Sequence, residues 1–95
     1  MPAYIIAQIN ITDPEKYQEY AKAAGPATQK YGGRFLVRGG AHETLEGDWE
    51  PLRLVVIEFP TAAAAREWYE SDDYAPLREL RRRASDTDIL VVEGV

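Results

Sequence analysis

The sequence predicts an α+β domain in which helices cover one face of a four-stranded antiparallel sheet. Three observations indicate this fold class: strand-like and helical segments share the whole chain, each segment is short, and several strands are apolar on one face and mix apolar with charged or polar side chains on the other. The chain has 95 residues, which is typical of one small domain, and no linker, repeat or low-complexity tract divides residues 1–95. We therefore treat the chain as a single domain with one core.

The first strand and the first helix are predicted over residues 4–11 and from about Asp13 to residue 31. Side chains alternate between the two faces of a strand, so Ile5, Ala7, Ile9 and Ile11 share one face of the first strand. The sequence Thr12-Asp13-Pro14-Glu15 is typical of a helix start. Pro26 is expected to kink or restart the helix, and Gly32 or Gly33 to end it.

The remaining elements are two strands, two helices and a last strand. Strands are predicted over residues 34–38 and 52–59, and part of the loop between them, around residues 43–46, is expected to pair as a short extension. Thr61 precedes an alanine run and caps a second helix, and residues 71–73 mark a break before a third. Residues 86–88 are predicted to form a turn, and residues 89–93 the last strand.

This order of elements is typical of the ferredoxin-like split βαβ domain. Its helices cover only one face of the sheet, so the other face needs a partner. The predicted free face mixes apolar and charged side chains, which suits a dimer interface or the lining of a ligand cavity. We expect a homodimer that packs sheet to sheet, and a free monomer of low stability. The predicted free face carries Tyr4, Ile6, Gln8, Asn10, Arg34, Leu36, Arg38, Leu54, Val56 and Glu58.

Composition argues against several function classes. Cysteine is absent, which excludes disulfides and thiolate metal sites, and no paired histidine spacing indicates a metal hydrolase. The net charge of −5 argues against nucleic acid as a partner, because phosphate binding needs concentrated positive charge. The first residues lack the pattern of a signal peptide, and no segment approaches the ~20 apolar residues of a membrane span. We expect a cytoplasmic protein without a metal or cofactor.

Several segments, in a consistent order along almost the whole chain, resemble one family. They include residues 12–20, 31–40, 45–49, 55–60, 68–74 and the closing Val92-Glu93-Gly94. These segments resemble domain-of-unknown-function family 1330 in the dimeric α+β-barrel superfamily. The resemblance implies the ferredoxin-like fold and a dimer. Similar superfamily members include cofactor-independent monooxygenases, haem-degrading enzymes, lactone isomerases and ligand-sensing domains, and fold analogy does not choose among these chemistries.

The main candidate site residues are Arg38 and Glu58, which are expected to face each other from adjacent strands on the free face. In a functional interpretation, Arg38 binds a substrate carboxylate or enolate and Glu58 is a base with a raised pKa. In a structural interpretation, the two form an ion pair that fixes strand register or the dimer. His42, the only histidine, is a third candidate catalytic residue over a cavity mouth, or a solvated loop residue.

Five further residues are candidate ligand-binding side chains: Asn10, Tyr17, Trp49, Arg53 and Trp68. Trp49 lies in a polar loop and either covers a pocket or packs across the dimer. Tyrosine suits a half-wet pocket, but helix packing also explains Tyr17 and Trp68. The resemblance argues against haem, because haem-degrading relatives carry their axial histidine on a helix of the second half and no histidine follows His42.

Two functional hypotheses stay open. In the first, the homodimer binds or transforms a small organic molecule by cofactor-independent proton transfer or oxygenation, in a cavity at the sheet face. In the second, it is a non-catalytic binding or interaction module whose Arg–Glu pair is structural. The sequence does not decide whether the protein is an enzyme.

Overall fold

Four antiparallel strands form one sheet, in which the strands numbered along the chain lie in the order second, third, first, fourth. The computed structural model describes residues 1–95, and its element order is that of the ferredoxin-like α+β fold, as predicted. The strands are β1 (Ala3–Ile11), β2 (Arg34–Arg38), β3 (Leu54–Phe59) and β4 (Ser85–Glu93), and the helices are α1 (Pro14–Lys30), α2 (Ala62–Glu70) and α3 (Ala75–Ala84).

All three helices lie on one face of the sheet, so the core forms between them and alternate strand residues. In β1, residues 3, 5, 7 and 9 are buried, while residues 4, 6 and 8 on the other face stay half-buried. β3 shows the same alternation, with Val55, Ile57 and Phe59 buried. On the free face, Leu36, Val37, Leu90 and Val92 are 38–56% exposed. The prediction that helices cover only one face is thus confirmed.

α1 begins as predicted and continues to Lys30, close to its predicted end. Asp13 is the N-cap, and its carboxylate accepts the backbone N–H of Lys16 at 3.2 Å. The sequence predicts that Pro26 kinks or restarts the helix; a restart is wrong, because α1 is one helix up to Lys30 with Pro26 inside it. Pro26 leaves the carbonyl of Lys22, four residues earlier, without its helical donor, and Lys22 is exposed to water that can replace it. After the helix, Gly32 adopts a φ of 85°.

A β-bulge in β2 changes which side chains share a face. Arg34 pairs with Glu58 and Phe35 with Ile57, but Val37 rather than Leu36 pairs with Val56. Arg38 consequently pairs with the core-facing Val55. A bulge adds one residue to one strand, so the alternation of faces reverses beyond it. The expectation that Arg38 shares the free face with Glu58 is therefore wrong, and Arg38 lies on the helix side.

Two smaller expectations are also wrong. β4 begins at Ser85, directly after α3, so residues 86–88 are not a turn but part of a strand that pairs with residues 8–10 of β1. Ser85 itself pairs with Ile11. Residues 43–46 form no strand extension and stay exposed in the loop between β2 and β3.

Candidate functional site

A small cavity lies between α1 and the helix-covered face of the sheet. Its volume is about 30 Å³, and four of its lining residues also line an adjoining surface groove of about 490 Å³. A buried water needs roughly 10–15 Å³, so the cavity has room for about two water-sized groups. The residues shared by the cavity and the groove are Tyr17, Ala21, Arg38 and Arg53.

Arg38 reaches this position because of the bulge in β2. Its Nη2 donates to the backbone carbonyl of Ala21 in α1 at 3.0 Å, and its guanidinium lies 4.3 Å from the ring centroid of Phe35. No carboxylate lies within ion-pair distance of Arg38, since every ion pair in the molecule involves other cations. Arg38 therefore presents an uncompensated positive charge where the groove meets the cavity.

Arg53 occupies the other side of the same entrance, just before β3. Its Cζ lies 5.6 Å from the ring centroid of Tyr17, and its Nε is buried without a hydrogen-bond partner. Gly39 is the reason this side chain fits, because a Cβ at that position would lie 1.9 Å from Nη1 of Arg53. Gly39 also has a φ of 73°, which other residues rarely adopt. Two guanidinium groups thus flank the entrance.

A buried hydrogen-bonded chain lies deeper in the cavity wall. Nη1 of Arg81 donates to the hydroxyl of Tyr74 at 2.8 Å, and that hydroxyl is 2.7 Å from the hydroxyl of Tyr20. Arg81 is only 3% exposed, has no carboxylate partner, and its Nε is buried without an acceptor. All three side chains line the cavity. We call this group the Tyr20–Tyr74–Arg81 chain.

Both phenols of this chain stay protonated at neutral pH. Burial, followed by the neighbouring Tyr74, raises the pKa of Tyr20 far above its ordinary value of 10.0. Burial also raises the pKa of Tyr74, although Arg81 opposes this. A phenol whose pKa is raised keeps its proton at neutral pH, so its O–H can donate a hydrogen bond but the group does not act as a base. The Tyr20–Tyr74–Arg81 chain is therefore suited to donating hydrogen bonds to a ligand, not to removing protons from it.

The cavity lining contains donors and cations but no side chain that only accepts hydrogen bonds. Besides the arginines and tyrosines, Trp68 contributes a ring N–H that is buried without a partner. No Asp, Glu, Asn, Gln or His lines the cavity, and most of its remaining wall is apolar. Buried donors normally have acceptors, and several in one place without them indicate a site for an acceptor-rich molecule.

The structure brings four of the predicted site residues together at this cavity: Tyr17, Arg38, Arg53 and Trp68. Their expected surroundings differ from the observed ones, because we placed the cavity on the free face of the sheet. No prediction named Tyr20, Tyr74 or Arg81. The only signal in the sequence was the abundance of tyrosine and the helical spacing of residues 74, 77 and 81, which is equally typical of ordinary packing.

The other four predicted site residues lie elsewhere. Glu58 is on the free face and accepts a 2.7 Å bond from Arg34, its strand neighbour. The ring N–H of Trp49 donates to the side-chain oxygen of Gln8 on that face. Nε2 of His42 is 2.6 Å from the carbonyl oxygen of Pro51, across its own loop. The fourth, Asn10, is exposed near the end of β1.

The structure contains neither a metal-binding cluster nor a helix suited to spanning a membrane. No group of three or more His, Cys, Asp or Glu side chains is arranged to hold a metal ion. None of the helices combines the length and apolar character that crossing a membrane requires.

The fold is similar to several solved structures. A protein of unknown function from Rhodopseudomonas palustris has a TM-score of 0.78 at 19% identity, covering 99% of this chain and 82% of that one. A dimeric ferredoxin-like protein of unknown function from Jannaschia sp. CCS1 has a TM-score of 0.75 at 11% identity, covering 99% and 100%. SnoaB, a cofactor-independent oxygenase from Streptomyces nogalater, has a TM-score of 0.61 at 12% identity, covering 99% and 93%. At these identities the likeness shows the fold alone.

No curated protein matches the sequence significantly. The family described as "Domain of unknown function (DUF1330)" matches residues 2–95, nearly the whole chain. The chain therefore belongs to the DUF1330 family.

Proposed function

We propose that this protein is a homodimer that binds a small organic anion in the cavity between α1 and the sheet. The observation that carries the proposal is the set of donors and cations at the cavity, in which Nε of Arg53, Nε1 of Trp68 and Nε of Arg81 are buried without a protein acceptor. Arg38 and Arg53 flank the entrance with guanidinium groups, whose planar donors suit a carboxylate. The apolar wall suits the body of an organic molecule.

The positive charge at the entrance is local and unlike the rest of the molecule. The whole chain has a net charge of −5, but no carboxylate lines either the cavity or the adjoining groove. Lys22 adds a third cation to the groove. A small anion near this surface is therefore attracted to the entrance, and the partly buried guanidinium group of Arg53 holds it more strongly than an exposed one would.

The geometry supports binding of an anion better than proton abstraction by the protein. No carboxylate or imidazole lines the cavity, and the raised pKa values of Tyr20 and Tyr74 make both poor bases. The predicted catalytic roles of Glu58 and His42 remain predictions, and both residues lie outside the cavity lining. Any chemistry here would rely on stabilising a negatively charged oxygen of the ligand.

The homodimer is proposed from the free face of the sheet. Its apolar side chains are half-buried or exposed in one protomer, and a sheet-to-sheet contact would remove them from water. The structurally similar protein from Jannaschia is dimeric, which supports a dimer here. The pair of Arg34 and Glu58 lies on this face, which favours the structural interpretation of Glu58.

The dimer is tested by placing a charge in the middle of the free face. Val56 is half-buried between its strand partners Ile6 and Val37. Val56→Lys is expected to yield monomers in analytical ultracentrifugation at micromolar concentration, whereas wild type sediments as a dimer. A wild-type protein that sediments as a stable monomer would contradict the proposed dimer.

Anion binding is tested by thermal shift with pentanoate, a carboxylate with a short apolar tail. A ligand that binds only the native state at 100 times its Kd adds about 2.7 kcal/mol of stability and raises Tm. Arg38→Gln and Arg53→Gln should each reduce the shift strongly. Arg83→Gln, an exposed arginine of α3, is the matched control and should keep it. Equal shifts in all three variants would refute the site.

A further inference from the structure

The Tyr20–Tyr74–Arg81 chain has one O–H group that finds no hydrogen-bond acceptor in the protein. The two phenols carry two O–H groups, and the 2.7 Å bond between them uses one. No protein atom accepts the other, because the only further contact of the chain is the donation from Arg81 to Tyr74. The remaining O–H is therefore available to a molecule in the cavity.

Either hydroxyl could donate in the bond between the two phenols, and the position of Arg81 beside Tyr74 favours Tyr20 as the holder of the free donor. The oxygen of Tyr74 accepts from the Arg81 guanidinium at 2.8 Å, which polarises its own O–H toward the next acceptor. That acceptor is the oxygen of Tyr20, 2.7 Å away. Tyr20 then keeps its proton for the cavity that it lines. A cation at the far end of such a chain makes this hydroxyl a stronger donor.

Along α1, Tyr20 lies between the two residues that the entrance arginines contact. Arg53 lies over the ring of Tyr17, and Arg38 donates to the carbonyl of Ala21. Tyr20 lies between these two positions on α1, and three residues of helix span about 5 Å. The ring centroids of Tyr17 and Tyr20 are 5.5 Å apart. A ligand that uses both ends of the site therefore needs two separate oxygen groups.

From this arrangement we propose that the ligand is a short oxo-carboxylate. Its carboxylate is bound by Arg38 and Arg53 at the entrance, and its carbonyl oxygen accepts the hydrogen bond of Tyr20 inside the cavity. The volume of about 30 Å³ agrees with a terminal acetyl group, which is about two water-sized groups in bulk. This inference rests on the proposed binding of an organic anion and specifies its class.

The test compares 4-oxopentanoate with pentanoate, which differ only in the carbonyl oxygen. Isothermal titration calorimetry is expected to give wild type about tenfold higher affinity for 4-oxopentanoate, as one polarised hydrogen bond provides. Tyr20→Phe removes the donor and should bind both acids with the affinity that wild type has for pentanoate. Tyr69→Phe, whose ring does not line the cavity, is the control and should keep the preference.

The possible outcomes separate this inference from the proposed function. If wild type binds both acids equally well, the oxo-carboxylate assignment is overturned while anion binding stands. A preference that persists in Tyr20→Phe overturns the role of Tyr20. If wild type binds neither acid, the proposed function and this inference both fail. The wild-type comparison is decisive even if Tyr20→Phe folds poorly.

Discussion

Replacing Arg81 by methionine should make the protein more stable, although this side chain is among the most buried in the molecule. Arg81 is 3% exposed, and its guanidinium makes one side-chain hydrogen bond, to Tyr74, and has no carboxylate partner. Burying a charge costs several kcal/mol that a single neutral acceptor does not offset. Methionine retains the unbranched apolar stem and fills much of the same space.

The expected gain in the free energy of unfolding follows from the hydrogen bond that is lost and the buried charge that is removed. Arg81→Met loses one charge-assisted hydrogen bond, but it strands no partner, because the Tyr74 hydroxyl keeps its bond to Tyr20. Replacing buried ionic groups by apolar ones of similar volume typically stabilises a protein by about 1–4 kcal/mol. We expect the low end of this range. In a domain of this size, 1 kcal/mol raises Tm by about 4–8 °C.

The assay is thermal and urea unfolding of Arg81→Met, wild type and Arg83→Met at one protein concentration, since dimers unfold in a concentration-dependent way. Arg83 is an exposed residue of the same helix and should change Tm little. The variant should also lose the preference for 4-oxopentanoate, because Tyr74 is no longer polarised. A fall in Tm well beyond that of the control would refute the reasoning and show that Arg81 stabilises the fold.

Three further predictions follow from other contacts. Gly39→Ala and Gly47→Ala both place alanine at a φ above 70°, so each should lower the free energy of unfolding by about 1–2 kcal/mol. Only Gly39→Ala also displaces the guanidinium of Arg53 at the entrance, so only this variant should weaken pentanoate binding, about tenfold in calorimetry. Equal binding by the two variants would contradict that placement. Glu58→Gln should change the free energy of unfolding by less than about 1 kcal/mol, since its ion pair with Arg34 is partly exposed. It should leave pentanoate affinity unchanged, because Glu58 lies on the face of the sheet opposite the cavity. A loss of pentanoate affinity would restore the predicted role of Glu58 in the site. A hydrogen bond from Lys30 lowers the pKa of Asp73, so this carboxylate adds stability above its ordinary pKa of 3.8 and loses that contribution as pH falls through the lower folded value. Asp73→Asn should therefore lower Tm at pH 7 and have no effect at the acid end of a pH series. A pH-independent effect on Tm would exclude this ion pair as its cause.

The sequence predicted the fold well because its strongest signals are local. Alternating apolar residues defined β1 and β3, and the capping residues Asp13 and Thr61 defined the starts of α1 and α2. These patterns depend on neighbours along the chain, and the structure retains them. β4 was predicted too short because Ser85 to Asp88 is a polar stretch typical of a turn, and its pairing with β1 overrides that local preference.

The site was harder to predict because it depends on a feature without a local signal. Strict alternation along β2 places Arg38 with Glu58, and the bulge beside Leu36 reverses that placement. Nothing in the sequence Arg34-Phe35-Leu36-Val37-Arg38 distinguishes a bulged strand from a regular one. The hydroxyl bond between Tyr20 and Tyr74 joins residues 54 positions apart, and such contacts follow only from the packing of α1 against α3.

The direct junction of α3 and β4 makes the cavity sensitive to chain length. Ala84 ends α3 and Ser85 starts β4 without a loop, and the carbonyl of Ala84 accepts the backbone N–H groups of Thr12 and Asp13 at 2.8 and 3.0 Å. One residue inserted between Ala84 and Ser85 would have to be absorbed by the helix, which turns about 100° per residue. Arg81 would then swing away from the phenols while the sheet kept its pairing. Inserting one residue at this junction would therefore disrupt the cavity and leave the fold intact.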